Sequence, residues 1–129
     1  GPGLHEITPL VLDFMRTSPR DEGLLHLFVR HTSCSLLIQE NADPQVRADL
    51  QEFFERLAPA ADDPSMKWVT PRQEGPDDMP AHIRAALLPV SITIPVANGR
   101  PMLGTWQGVY LFEHRASPHR RQVVLTLLA

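Results

Sequence analysis

Apolar residues recur at helical spacing through residues 5–18, where Ile7, Leu10, Val11, Phe14 and Met15 share one face. Thr8 followed by Pro9 reads there as an N-cap and the first helical residue. Residues 22–40 are dense in apolar, β-branched and aromatic side chains and too long for one strand, so the polar His31-Thr32-Ser33 divides them into two. Over 41–59 the helical period returns at Val46, Leu50, Phe53, Phe54 and Leu57. Asp43 is placed to cap that helix, Pro44 fits its first turn because the missing N–H is not needed there, and Pro59 ends it. A polar, proline-bearing loop follows over 60–77, then a short helix from about Met79 to Leu87. Residues 91–96 alternate as a half-buried strand, and Asn98-Gly99 signals a tight hairpin turn. Gly104 and Gly108 flank Thr105-Trp106-Gln107 in strand-like sequence, which predicts a bulge or a close backbone approach. Residues 120–129 read as a closing, buried strand. The pattern predicts an α+β fold: a mostly antiparallel β-sheet sandwich with two or three inserted helices, in one domain over 1–129.

Composition narrows the function classes. The chain has 43% hydrophobic and 21% charged residues, the balance of a soluble globular protein. A net charge of -3 and a pI near 6.0 lack the basic footprint of a nucleic-acid binder. The apolar runs are too short to cross a bilayer, and no signal peptide opens the sequence, so no membrane partner is expected. Cys34 is the single cysteine, which rules out an intrachain disulfide and suits a reducing, cytoplasmic setting. The opening Gly1-Pro2-Gly3 is set aside as a cloning remnant or the tail of a preceding segment.

Candidate chemistry gathers in a few stretches. Residues 74–87 place Asp77 and Asp78 at a helix start, with His82 four residues beyond Asp78 on the same face. A carboxylate at that spacing can orient an imidazole or share a metal with it; equally, one Asp caps the helix and His82 is a surface residue. Residues 30–36 hold His31, Thr32, Ser33, Cys34 and Ser35, yet no G-x-S-x-G elbow or cysteine-protease signature accompanies them, and Cys34 reads as a small buried hydrophobe. Trp106 and Gln107 between two glycines form either a floor for a flat ligand or ordinary core. Glu113-His114-Arg115 is a salt-bridged strand end or an anion clamp, and His5, His26 and His119 carry no pattern. Phosphate-loop, dinucleotide and H-E-x-x-H motifs are absent.

Taken together, "RHTSCSLLIQENADPQVRADL", "EGPDDMPAHI" and "NGRPMLGTWQGVYLFEHR" resemble the YjbQ-type family, also called the secondary thiamine-phosphate synthase family. Its pattern runs H-T-S-A-S-L, N-E-N-x-D-P-x-V, D-D-M-P-x-H-I-K, G-R-x-x-x-G-T-W-Q-G-I and E-H-R, and the match spans residues 24–127 in order. The resemblance implies a compact α+β homotrimer with a polar pocket near subunit interfaces. It also implies a weak thiamine-phosphate synthase activity, joining a pyrimidine diphosphate to a thiazole phosphate with loss of pyrophosphate. Carried over residue by residue, it points to His31, Asn41, Asp43, Asp78, His82, Gln107 and Arg115 as pocket residues, with a divalent metal at the histidines.

Three positions depart from that pattern. Pro71 or Arg72 stands where members carry a histidine, Cys34 replaces an alanine, and Gln39 replaces an asparagine. The family's N-terminal strand is expected to be missing. The resulting expectation is a cytoplasmic trimer holding a phosphorylated small molecule, as a transferase or as a non-catalytic metabolite-binding or assembly protein. In the transferase version His82, oriented by Asp78, is the acid/base or metal ligand, with His31 a second one. Arg115 and helix-start N–H groups hold phosphate. Trp106 and Gln107 receive a heteroaromatic ring, with Asn41 and Asp43 nearby, and the cofactor is zinc or magnesium.

Overall fold

The computed structural model describes residues 1–71 and 73–129. Among the described residues, seven strands and three helices follow the order β1 (Gly3–Glu6), α1 (Thr8–Thr17), β2 (Gly23–Val29), β3 (Cys34–Glu40), α2 (Pro44–Leu57), α3 (Asp78–Leu87), β4 (Ser91–Ala97), β5 (Arg100–Pro101), β6 (Gln107–Glu113) and β7 (Val123–Leu128). A 3-10 turn at Pro64–Met66 interrupts the long loop before α3. All pairings are antiparallel, in a three-stranded sheet of order β1-β6-β3 and a four-stranded sheet of order β5-β4-β2-β7.

Strand alternation builds the core between the two sheets. Leu25, Leu27 and Val29 of β2 and Ile94 and Val96 of β4 point inward from the larger sheet. Leu36 of β3 and Val109 of β6 point inward from the smaller, and Val11 and Met15 of α1 close the side. Each fully buried side chain of this kind contributes about 2 kcal/mol by leaving water. The other face of the smaller sheet is covered by helices: Phe54 of α2 meets Phe112 edge-on at 5.6 Å, and Arg47 donates to the Tyr110 hydroxyl at 3.2 Å. The layers are therefore helices, small sheet, large sheet. Nothing among the described residues covers the outer side of the large one.

Several local expectations meet the coordinates closely. Residues 22–40 do split at His31-Thr32-Ser33, and the two strands enter different sheets. Asp43 caps α2 through its carboxylate, which accepts from the Gln45 N–H at 2.9 Å. Asn98 (φ 54°) and Gly99 (φ 74°) both adopt the left-handed region that a two-residue hairpin turn requires. Gly108 is a close approach: a Cβ there would lie 2.5 Å from Glu6 Oε2 and 3.1 Å from Asn41 Cβ.

Others are corrected. Gly3 belongs to the fold, since it opens β1, a strand paired with β6 along Gly3–Glu6, so an N-terminal strand is present. Thr8 is the first helical residue and Ile7 the cap; the Thr8 hydroxyl instead accepts from the Val109 N–H at 2.9 Å, tying α1 to β6. The apolar stripe of α2 buries no residue fully, with Phe53 56% and Leu57 52% exposed. The closing strand β7 is half-buried, because it is an edge strand with one face outward.

Candidate functional site

The β3–β6 pair organises everything chemical. At one end, where Cys34 faces Glu113, three distant segments converge. His82 Nδ1 lies 3.1 Å from the Thr32 carbonyl oxygen, one residue past His31, and its Nε2 lies 3.3 Å from Asp78 Oδ1. Both ring nitrogens thus face acceptors. Asp78 is 7% exposed at its side chain and His82 39%, so a buried carboxylate backs an imidazole that is open on one side.

Arg115 locks the same corner. Its Nε donates to Asp77 Oδ2 at 3.0 Å, its Nη1 to Asp78 Oδ1 at 3.4 Å and its Nη2 to the Glu74 carbonyl at 3.0 Å. Asp77 stands at the N-cap of α3 yet makes no capping bond; its Oδ2 takes Arg115 and the Ala116 N–H at 2.8 Å. Burial works against the charge of Asp77, but the Ala116 N–H and the Arg115 guanidinium outweigh it and hold its carboxyl below the usual range. Arg115 therefore positions carboxylates in this structure; it does not present an empty fork to an anion.

Sequence reasoning missed a second, adjoining pair. Arg121 grips Glu113 through Nε at 2.7 Å and through Nη2, which also reaches the Ser33 hydroxyl at 2.9 Å and its carbonyl at 3.1 Å. Burial disfavours the charge on Glu113, yet Arg121 and the N–H groups of Arg115 and His114 keep its pKa low. The signal was available: alternation along β6 turns Glu113 to the inner face with Leu111 and Val109, where a carboxylate demands a cation. His31 stands beside this pair, its Nε2 accepting the Gln122 N–H at 2.7 Å. Its pKa is lowered by partial burial first, then by the charge of Arg121, with Arg30 and His119 adding to it against Glu113. A cleft of about 320 Å³ lined by His5, Glu113, His119 and Arg121 opens there.

His114 faces the opposite side of the sheet. It is 2% exposed, stacks 4.6 Å from Phe112 and meets Ser35 Oγ through Nε2 at 3.0 Å; among the described residues its Nδ1 has no hydrogen-bond partner. Burial, then the charge of Arg84, pushes its pKa down to about 4. Cys34 is buried in the core as expected, and burial raises its thiol pKa.

The remaining candidates lie at the other end of the same strand pair, where Glu40 faces Gln107. Asn41 donates from its backbone to the Trp106 carbonyl at 2.9 Å and from Nδ2 to Glu6 Oε2 at 3.3 Å. Gln107 Oε1 accepts the Gly104 N–H at 2.7 Å, closing the turn that leaves Trp106 64% exposed. Asp43 is occupied by its cap. Six residues of strand separate the two groups, about 20 Å at 3.3 Å per residue, so one subunit does not gather His82, Asp78 and Arg115 with Asn41, Trp106 and Gln107.

For a divalent metal, Asp78 and His82 offer one carboxylate and one imidazole. That is fewer than the three or four donors of a zinc site; of the two, only the Asp78 carboxylate is the oxygen donor that Mg²⁺ takes, its shell then completed by phosphate and water. Among the described residues no three His, Cys, Asp or Glu side chains converge. Of the positions where the family's additional histidine is expected, Pro71 is exposed and Arg72 lies outside the described residues. Among the described residues, no helix is long and apolar enough to cross a membrane.

Known proteins agree with this architecture. A protein of Thermus thermophilus described as the conserved hypothetical protein TT1486 superposes with a TM-score of 0.82 at 35% identity, over 98% of this chain and 92% of that one. A YjbQ/UPF0047 protein from Clostridium acetobutylicum superposes with a TM-score of 0.80 at 31% identity, over 97% and 90% of the two chains. In sequence, the UPF0047 protein sll1880 of Synechocystis is 50% identical over 97% of this chain and 82% of its own length. The UPF0047 protein YjbQ of Escherichia coli O157:H7 is 42% identical over 97% and 88%. The pattern described as "UPF0047 protein YjbQ-like" matches residues 1–129, and with these relatives it establishes that the chain belongs to the YjbQ/UPF0047 family.

Proposed function

We propose that the chain is a subunit of a cytoplasmic homotrimer that binds a phosphorylated small molecule at the His82–Asp78 corner and carries a weak thiamine-phosphate synthase-type transfer there. The observation that supports this reading is the junction of His82 with Asp78 and with the Thr32 carbonyl, which fixes an open imidazole against a buried carboxylate. An imidazole so held can pass a proton to or from a group undergoing displacement. Arg115 acts as a positioning residue by holding Asp77 and Asp78. Mg²⁺, held by the Asp78 carboxylate together with diphosphate oxygens, would balance the charge of the leaving pyrophosphate.

The distance between the two residue groups bears on assembly. For Trp106 and Gln107 to stack on and bond a ring whose phosphate rests near His82, they must come from a neighbouring copy, which is a reason for more than one subunit.

The test is product formation from a pyrimidine diphosphate and a thiazole phosphate by wild type and by His82→Ala. A loss of about 100-fold or more is expected for removal of a general acid/base; equal rates end the catalytic reading. A non-catalytic, metabolite-binding role is favoured by one observation, the full engagement of Arg115. It predicts calorimetric binding of the thiazole phosphate that survives in a wild type without turnover.

A further inference from the structure

The cleft between β1 and the β6–β7 turn contains a buried cation with one free edge. The side chains of Arg121 and of its partner Glu113 are each 8% exposed. Arg121 Nε donates to Glu113, and Nη2 donates to Glu113 and to the hydroxyl and carbonyl of Ser33. Nη1 has no acceptor among the described residues. It is not sealed in either, because the one fully buried side-chain nitrogen or oxygen among them that lacks a partner is His114 Nδ1. The two hydrogens of Nη1 are therefore left for the cleft of about 320 Å³ that Arg121 lines. Arg115 differs at this point, since all its guanidinium nitrogens are engaged.

The other polar groups of the lining suit an anion that can carry a proton. His119 Nδ1 lies 2.8 Å from the Ser117 carbonyl oxygen, and His5 Nε2 lies 2.8 Å from that of Gly1. A carbonyl only accepts, so those nitrogens hold the hydrogen, and His119 Nε2 and His5 Nδ1 are left for a ligand. The Glu113 carboxylate is already met: Oε1 accepts from Arg121, and Oε2 from Arg121 and from the N–H groups of His114 and Arg115. No three His, Cys, Asp or Glu side chains among the described residues converge, so His5, His119 and Glu113 do not form a metal site.

We propose that this cleft is the subsite for a phosphomonoester group, with Arg121 Nη1 as its fixed donor and His119 as its second partner. The inference rests on the phosphorylated-ligand reading above and names the side chain that anchors the phosphate. N–H groups of a guanidinium make strong, charge-assisted bonds to phosphate oxygens. The pair with Glu113 holds the guanidinium in place beforehand, so little side-chain freedom is lost on binding. A phosphomonoester keeps its second proton down from about pH 6. Where the proton is kept, the phosphate hydroxyl donates to an imidazole lone pair; where it is lost, a protonated imidazole donates to the oxygen. A cleft of this volume accepts one small phosphorylated molecule. Arg121 binds Ser33 while His82 meets the Thr32 carbonyl, so the anchor and the proposed acid/base grip consecutive residues of one loop.

The experiment is calorimetric titration of the full chain with inorganic phosphate, with a thiazole phosphate and with the corresponding thiazole alcohol. Wild type is expected to bind the two phosphates and to bind the alcohol at least about tenfold more weakly than its phosphate, as loss of charge-assisted bonds implies. The double variant Arg121→Ala/Glu113→Ala removes both members of the pair, so no buried charge is left single. It is expected to lose about tenfold or more in affinity for the thiazole phosphate, with its folding checked by far-UV circular dichroism. A wild type that binds neither phosphate overturns both this inference and the phosphorylated-ligand reading. A folded double variant that binds the thiazole phosphate as tightly as wild type overturns this inference alone. Should the double variant not fold, Ser117→Asp puts a carboxylate at the exposed rim of the cleft without touching the buried pair. That variant is expected to weaken binding of both phosphates about tenfold, and unchanged affinity overturns the proposal.

Discussion

His82 reaches the carbonyl oxygen of Thr32 at 3.1 Å, and that bond joins the start of α3 to the loop between the two sheets. The loop carries His31 on one side and Ser33 on the other, and Ser33 is held by Arg121. A helix, a strand junction and a buried ion pair are thus connected through one imidazole and one backbone carbonyl.

Removing Arg115 should expose how much that corner depends on it. Arg115→Met leaves Asp77 and Asp78 facing one another without their shared cation, and breaking a buried pair from one side costs about 3–5 kcal/mol. Urea denaturation should show a lower midpoint with unchanged slope. Adding Asp77→Asn should recover part of the loss; strictly additive losses would mean that the guanidinium and Asp77 are not coupled.

Acid should destabilise the fold through His114. Its native pKa of about 4 lies below the ordinary value of 6.5. Between those values the unfolded chain takes up a proton that the native protein refuses, so stability is complete above about pH 6.5 and falls as pH drops toward about 4, by roughly 3 kcal/mol. His31 is shifted in the same direction, while Asp77 and Glu113, whose pKa values are depressed, lose their contribution only at lower pH. Chemical denaturation across that window should give a flatter profile for His114→Phe than for wild type. A wild-type slope retained by the variant would assign the effect elsewhere.

Gly108 should not accept a side chain without movement. An alanine Cβ would drive the Glu6 carboxylate from its bonds to Thr8 and Asn41, at a cost of about 1–3 kcal/mol. Because the nearest atom is the tip of a flexible side chain, Glu6→Ala should relieve part of that cost. Melting temperatures of the two single variants and the double variant check this, and a double variant as unstable as the sum of the singles would remove Glu6 from the explanation.

Much of this was legible in the residues, for physical reasons specific to each. Asp43-Pro44 marks a helix start because its chemistry is local. Asn98-Gly99 marks a hairpin because few residue pairs tolerate that backbone. The break at His31 showed because polar residues interrupt an apolar run. What escaped depends on partners far away in sequence. Gly-Leu-His-Glu over 3–6 has no strand pattern of its own and becomes β1 only beside β6. The run Val-Val-Leu-Thr-Leu-Leu in β7 reads as buried on both faces, since apolar runs do not report whether a second layer exists. Asp77 and Asp78 looked like caps, but a cation 37 residues beyond Asp78 claimed them first. The site followed the same rule: the Asp78–His82 spacing was visible, whereas the distance between that pair and Trp106–Gln107 needed the strands between them.

The two sheets also interleave along the chain, β1, β3 and β6 in one and β2, β4, β5 and β7 in the other. No contiguous stretch contains a finished layer. A nascent chain therefore completes its smaller sheet only when β6 emerges and its larger one only with β7, so a fragment ending before β7 lacks an edge strand of the larger sheet, and the native state is reached in one cooperative event and not by docking preformed halves.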